Sequence, residues 1–244
     1  MNNDVVIIGV GYDRVESTAW HTLVHSIMSK STRPLAFIPI KRKNLTSIYT
    51  RPRDPKQSND FSFTRFLLPY LCGYQGRAVF MDCDMLVRTN IEELLDLFDE
   101  QYAVQVVKHD YSPADQTKYL GTVQYTYPKK NWSSVMLFNN EKCQTLTPDY
   151  VNTASGLELH QFKWLESEEL VGELPLTWNW LVGEYPLGYG GVEYDDVNNA
   201  HFTLGGPYFL EYAKQRIDFS GEWFHEHALM DFCLQRYELL EDED

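Results

Sequence analysis

Val5-Val-Ile-Ile-Gly-Val10 limits the fold more than any other stretch. It is a continuous apolar, β-branched run closed by Gly11, and a run without polar alternation fits a central strand covered on both faces. After Gly11-Tyr-Asp-Arg14, the apolar Trp20, Leu23, Val24, Ile27 and Met28 fall at helical spacing, with Ser17 as the N-cap. Leu35 to Ile40 then supplies a second strand. The opening is therefore a strand, loop, helix, strand unit whose first loop lies at the carboxyl end of a strand, where open α/β sheets bind ligands. Tyr12 and Asp13 become nucleotide-site candidates on that ground. No GxGxxG follows the first strand, which weighs against a dinucleotide fold.

The second constraint is Arg77-Ala-Val-Phe-Met-Asp-Cys-Asp-Met-Leu-Val-Arg88, where a buried-strand pattern, Ala78 to Met81, ends in two carboxylates one residue apart. By strand period Asp82 and Asp84 project to one face with Cys83 between them, so two hard oxygen ligands can share a divalent cation. Mg²⁺ or Mn²⁺ held by one or two carboxylates commonly completes its shell with water and substrate phosphates. The alternative is a turn whose aspartates cap the next helix, but Asn90 with Glu93 already forms a capping pair for Ile91 to Phe98.

Lys41 to Asp60 is polar and proline-interrupted and reads as an exposed connection. Phe63 to Cys72 reads as a helix, in which Arg65 is either a site residue or a solvated charge. Ala103 to Val107 is a further strand ending in Lys108-His109-Asp110, a cation and an imidazole that face either a diphosphate or a surface turn. In Asn131-Trp-Ser-Ser-Val-Met-Leu-Phe-Asn139, Trp132, Ser133 and Ser134 lead into a strand from Val135 to Phe138. An indole gives pyranose C–H groups an apolar face and hydroxyls supply hydrogen bonds, although a core Trp beside a turn is the plainer reading. Gln161 within Leu159 to Leu165, and Trp178 and Asn179 within Leu174 to Asn179, extend this aromatic region. Ala200-His-Phe-Thr-Leu-Gly-Gly-Pro207 brings His201 near Gly205 and Gly206, whose backbone N–H groups can approach an anion. Otherwise His201 is a strand histidine satisfied by a backbone carbonyl. His225 and His227 alone are too few for a metal site.

The 244 residues, 43% of them hydrophobic, suffice for one large domain, read as 1–238, followed by an acidic tail, 239–244. A formal charge of −14 argues against nucleic acid and anionic membranes as partners. The N-terminus lacks a basic region and a long apolar segment, so neither a signal peptide nor a membrane span is expected and the protein is read as cytoplasmic. Four cysteines without a CxxC pair fit reduced packing thiols.

Taken together, Val5 to Tyr12, Phe63-Thr-Arg-Phe-Leu-Leu-Pro69, Asp82-Cys-Asp84, Asn131-Trp-Ser-Ser134 with Leu137-Phe-Asn139, and His201 to Pro207 resemble the GT-A glycosyltransferases. The family 8-like nucleotide-sugar transferases of bacteria and viruses are the nearest in pattern. That resemblance implies an α/β, Rossmann-like single domain with a mixed, mostly parallel central sheet flanked by helices. It implies Mn²⁺, with Mg²⁺ as the alternative ion, held by Asp82, Asp84 and His201, with Gly205 and Gly206 against the phosphates. It further implies a UDP-sugar donor and a glycan or other hydroxyl acceptor. Val10, Tyr12, Asp13, Arg65, Asp82, Cys83, Trp132, Ser133, Ser134, Trp178 and Asn179 would line the nucleotide and sugar, and Gln161, Asp84 and Lys108 would take the catalytic roles. Two places depart from the pattern. An Asp-Gln pair is replaced by His160-Gln161, and Lys-Pro-Trp by Gly206-Pro-Tyr208, which leaves Lys108 or Arg65 to supply the missing charge. The expected activity is metal-dependent, retaining hexosyl transfer. A binding module that has lost turnover and a metal phosphohydrolase or nucleotidyltransferase are the alternatives.

Overall fold

The computed structural model describes residues 5–54, 57–110, 128–215 and 217–241. Its strands are β1 (Val6–Gly11), β2 (Leu35–Ile40), β3 (Arg77–Met81), β4 (Met85–Val87), β5 (Val104–Val106), β6 (Val135–Asn139), β7 (Val171–Glu173), β8 (Trp180–Leu181) and β9 (Asn199–His201). Its helices are α1 (Ser17–Met28), α2 (Leu68–Leu71), α3 (Glu92–Leu95), α4 (Pro148–Thr153), α5 (Gly156–His160), α6 (Leu210–Ala213) and α7 (Ser220–Glu241).

Six strands form the main sheet in the order β2-β1-β3-β6-β5-β7. β1 pairs in parallel with β2 and β3, and β5 with β7, whereas β6 runs against both β3 and β5. Five strands therefore share a direction, which is the mixed, mostly parallel sheet that the resemblance implies. Val6, Ile8 and Val10 on one face of β1 are buried in the main core, while on the other face Ile7 is partly buried and Gly9 and Gly11 are covered by Leu68 and Phe61. Gly9 and Gly11 have a packing reason. A Cβ on Gly11 would come within 2.3 Å of the Phe61 ring, and one on Gly9 within 2.8 Å of Leu68.

A second, three-stranded sheet, β4-β9-β8, leaves the main sheet where β3 ends. Met85 pairs with His201 across the antiparallel β4 and β9, so the last residue of one element is fixed beside the first of another 116 positions away. This sheet has its own core, in which Trp180, Phe202 and Trp223 are buried. No helix among the described residues is long and apolar enough to cross a membrane.

Several local expectations are corrected. Phe63 to Cys72 is a 3₁₀ turn, Thr64–Leu67, leading into the four-residue α2, since Pro69 suits a helix start better than its middle. The helix after Asn90 is only Glu92–Leu95. Asn90 Oδ1 does accept from Glu92 N, but Glu93 receives the Thr89 hydroxyl instead of completing a capping box. Ser17 does not cap α1, because Asp13 caps the 3₁₀ turn before it. Lys41 to Asp60 is not wholly exposed, since Leu45, Tyr49, Gln57 and Asn59 are buried. α7 continues through Glu241, so Leu239 to Glu241 are helical rather than tail, and Asp242 to Asp244 lie outside the described residues.

Candidate active site

Asp82 and Asp84 lie in the bend joining β3 to β4, not on a strand as the alternation predicts. The bend is held at both ends. Asp82 N donates to Ser134 O at 2.9 Å, and Phe202 N donates to Asp84 O at 2.8 Å. The two carboxylates are 7% and 9% exposed, and they sit with His201 so that one ligand atom from each falls within 4.8 Å of the others.

Each carboxylate has a distinct neighbour. Arg65, buried between Phe61 and Phe80, places Nη1 2.8 Å from Asp82 Oδ1 and donates from the same nitrogen to Ser133 O at 2.8 Å. The reading of Arg65 as a solvated charge is therefore excluded. His201 Nε2 lies 3.2 Å from Asp84 Oδ1. The other ring nitrogen, Nδ1, is 2.8 Å from Asn179 Oδ1. Asn179 Nδ2 in turn donates to Asn131 O at 3.2 Å, and this assigns the amide, leaving its oxygen for the imidazole. Nδ1 is then the donor, which leaves Nε2 as the ring atom that faces the Asp84 carboxylate. The donor set, two carboxylate oxygens and one imidazole nitrogen, fits a divalent first-row metal ion.

Asn131 adopts the left-handed conformation, φ 62°, that lets the chain turn from Lys129 into Trp132. The turn also positions three further groups. The Trp132 indole N–H donates to His109 O at 2.9 Å, Ser133 Oγ lies 2.7 Å from His160 Nδ1, and Lys129 Nζ donates to Gln161 O at 3.2 Å. His160 packs edge-on against Phe66. Its pKa is pushed down to about 3, mainly by burial and then by the Arg65 guanidinium, so it stays neutral. His109 is likewise pushed down to about 3 by burial and by His201, and its Nδ1 meets the Tyr185 hydroxyl at 2.9 Å.

The remaining sequence candidates divide. Tyr12 is half-buried at the end of β1 with Lys41 Nζ 4.8 Å from its ring centroid. Asp13 accepts from Val15 N and Asp60 N, which makes it a tie between two loops. Val10 and Cys83 are fully buried, so neither side chain faces a ligand. The Cys83 thiol is turned toward Glu16 at 3.8 Å, and burial raises its pKa well above the ordinary range. Trp178 corrects an expectation. It is 2% exposed within the main core, and its ring cannot stack on a sugar. Lys108 acts on the Glu168 carboxylate, which also pairs with Lys129. Gly205 N already donates to Phe202 O, and Gly206 is required by the Tyr208 ring, which a Cβ would meet at 2.2 Å. Tyr208 OH donates to the buried Glu16 at 3.0 Å. Sequence reasoning missed Glu16 and Tyr185, because each depends on neighbours distant in sequence, Glu16 on Cys83 and Tyr208 and Tyr185 on His109.

Against known proteins, the sequence model of the family described as Glycosyl transferase family 8 matches residues 8–147. Protein CDI of Arabidopsis thaliana is 43% identical over 226 residues, covering 90% of this chain and 85% of that protein. Among solved structures, the bifunctional glycosyltransferase WbbM superposes with a TM-score of 0.62 at 16% identity, over 93% of this chain and 50% of that one. The glycosyltransferase GlyE of Streptococcus pneumoniae TIGR4 gives 0.57 at 12%, over 98% and 64%. The galactosyltransferase LgtC, solved with donor and acceptor sugar analogs, gives 0.54 at 11%, over 91% and 95%. This chain thus spans half of WbbM and about two-thirds of GlyE, and at these identities the structures speak to the GT-A fold alone.

Proposed function

The chain belongs to glycosyl transferase family 8, and from that premise we propose that it moves a hexose from a UDP-sugar to an acceptor hydroxyl with retention of configuration. Asp82, Asp84 and His201 would hold a divalent cation, Mn²⁺ by preference because one ligand is an imidazole. When bound, such an ion supplies Lewis-acid stabilisation of the negative charge on a departing diphosphate. The observation that carries the reading is the gathering of Asp82, Asp84 and His201 within 4.8 Å of one another, with His201 Nε2 turned to Asp84 Oδ1 at 3.2 Å and Nδ1 committed to Asn179.

The chain's own groups divide the remaining work. Arg65 neutralises Asp82 and holds the turn before β6 through Ser133 O, so it positions one ligand and the sugar-side loop together. Trp132, its indole N–H fixed by His109 O, and Gln161, whose carbonyl is held by Lys129, stand as the sugar-side residues. His160, neutral beside Arg65 where the family pattern has an acid, is the observation that favours a second reading, a donor-binding module without turnover.

A panel of UDP- and GDP-sugars with Mn²⁺, read for nucleotide release and for calorimetric binding of UDP, separates the readings. We expect metal-dependent UDP binding and release of UDP from a UDP-hexose. Binding without release supports the module, and no metal-dependent UDP binding refutes both. Trp132→Ala and Gln161→Ala should lower transfer more than UDP affinity, and equal losses would move both residues off the sugar side.

A further inference from the structure

The chain carries −14 overall, yet its segment 41–56 holds six of the 21 Lys and Arg against one acid, Asp54. Part of this segment folds around an open cleft of about 280 Å³ lined by Arg42, Lys43, Thr46, Tyr49, Thr50, Arg51 and Asp60. The cleft opens at the carboxyl end of β2, beside the first loop of the donor side. Lys41 lies against Tyr12, and Asp60 N is held by Asp13.

Two of its three cations, Arg42 and Arg51, are placed rather than merely solvated. Arg51 stacks on Phe63 at 4.2 Å and donates through Nη1 to Ala154 O. Arg42 Nη2 donates to Arg51 O at 3.1 Å. Arg51 Nη1 also donates to Val151 O at 3.5 Å, but a guanidinium has five N–H groups, so donors remain on both arginines. The one lining acid is drawn away, since Asp60 pairs with Arg53 at 3.5 Å. Burial raises the Tyr49 pKa, and the phenol stays a neutral hydroxyl. A cleft lined by three cations and three hydroxyl groups within a strongly acidic protein selects a compact anion.

We propose that this cleft is an acceptor subsite that takes the anionic substituent, a phosphate or carboxylate, of a charged glycoside. The proposal rests on the transferase reading, and the acceptor class follows from the lining. The test uses methyl glucoside 6-phosphate and methyl glucuronide as the two anionic probes and methyl glucoside as the neutral one. Each is titrated calorimetrically into the full chain and into Arg42→Gln/Lys43→Ala, with melting curves to verify folding. We expect both or one of the anionic glycosides to bind, more weakly as salt rises, while the neutral one does not. The double variant should lose at least about tenfold in that affinity and keep its affinity for UDP with Mn²⁺. Equal binding of charged and neutral glycosides, an unaffected variant, or one-for-one displacement of the charged glycoside by UDP would each overturn the proposal. Should the charged glycoside bind as expected while UDP with Mn²⁺ does not, the donor reading fails and the anion cleft stands.

Discussion

With Nδ1–H committed to Asn179, His201 reaches a cation only through Nε2, and removing the amide releases the ring to the other tautomer. Asn179→Ala should therefore weaken Mn²⁺-dependent UDP binding by about 10- to 100-fold, the range for lost ligand-orienting groups. His201→Ala should do at least as much, and His225→Ala nothing comparable. Calorimetry with UDP and Mn²⁺ reads all three, and equal affinity across the set removes His201 from the ligand shell. Asp84→Asn keeps the shape and loses the ligand charge, so it should abolish metal-dependent binding while the melting curve stays near wild type. Asp82→Asn has a second effect, because Arg65 is buried and ion-paired to it. Leaving that cation without its carboxylate costs about 3–5 kcal/mol, and unfolding in urea should show it. That Asp82, Asp84 and His201 are candidates for one cluster was legible in the sequence, because carboxylates at the end of an apolar run and a histidine before a glycine pair are locally anomalous, and the fold brings the three together. The contact of Asn179 with His201 was not legible, since it needs the Asn131 carbonyl from 48 positions away to orient the amide. Trp178 was misread for the opposite reason, as an aromatic residue beside a turn carries the same local pattern whether it faces a sugar or the core.

The elements that position the site are strands, and these were the more legible ones. β2 occupies the predicted Leu35 to Ile40 and β1 is shifted by one residue, because a continuous apolar run bounded by Gly or Lys leaves little freedom in its limits. The second sheet was not legible. β4, β8 and β9 have three, two and three residues, too short to show a period, and they exist because Met85 and His201 pair across 116 positions. Short helices were overdrawn for a related reason, since 3₁₀ turns share the apolar spacing of α-helices over a few residues. The long C-terminal helix docks by charge as well as by packing. On α7, Glu226 accepts from Ser29 Oγ at 3.1 Å and Lys30 Nζ at 2.9 Å and meets His25 Nδ1 at 2.7 Å, while Glu222 takes Arg88 Nε at 2.7 Å. Glu226 is 8% exposed, and its pKa, although opposed by burial, is lowered by Lys30, His25 and Ser29. Glu226→Gln should cost about 1.5–3 kcal/mol, the scale of a hydrogen bond to a charged group. Urea unfolding checks this, and a loss within error would mean that apolar packing alone seats α7 on α1.

Across the whole molecule, two opposed effects govern how stability answers to acid. Protonating a chain of net charge −14 relieves self-repulsion and favours the compact state as pH falls. His109 and His160 act the other way. Both are neutral in the fold with pKa values of about 3, whereas an unfolded histidine titrates near 6.5. Between those limits the unfolded chain binds more protons, so the contribution of each histidine is whole above about pH 6.5 and is lost as pH falls toward 3. The slope is about 1.4 kcal/mol per pH unit for each group at full effect, or roughly 2–3 kcal/mol for the pair one unit below 6.5. That range lies above the window of Glu222 and Glu226, whose lowered pKa values place their losses below 4.5. Urea unfolding of wild type and His160→Gln at pH 7.0 and 5.5 isolates the effect, because the self-repulsion change is common to both proteins. His160→Gln should be less stable at pH 7.0 through the altered contacts with Ser133 and Phe66, yet should lose about 1 kcal/mol less than wild type on going to pH 5.5. Parallel losses in the two proteins would show that His160 is free to protonate in the fold, and that Arg65 and the packing around it do not keep it neutral.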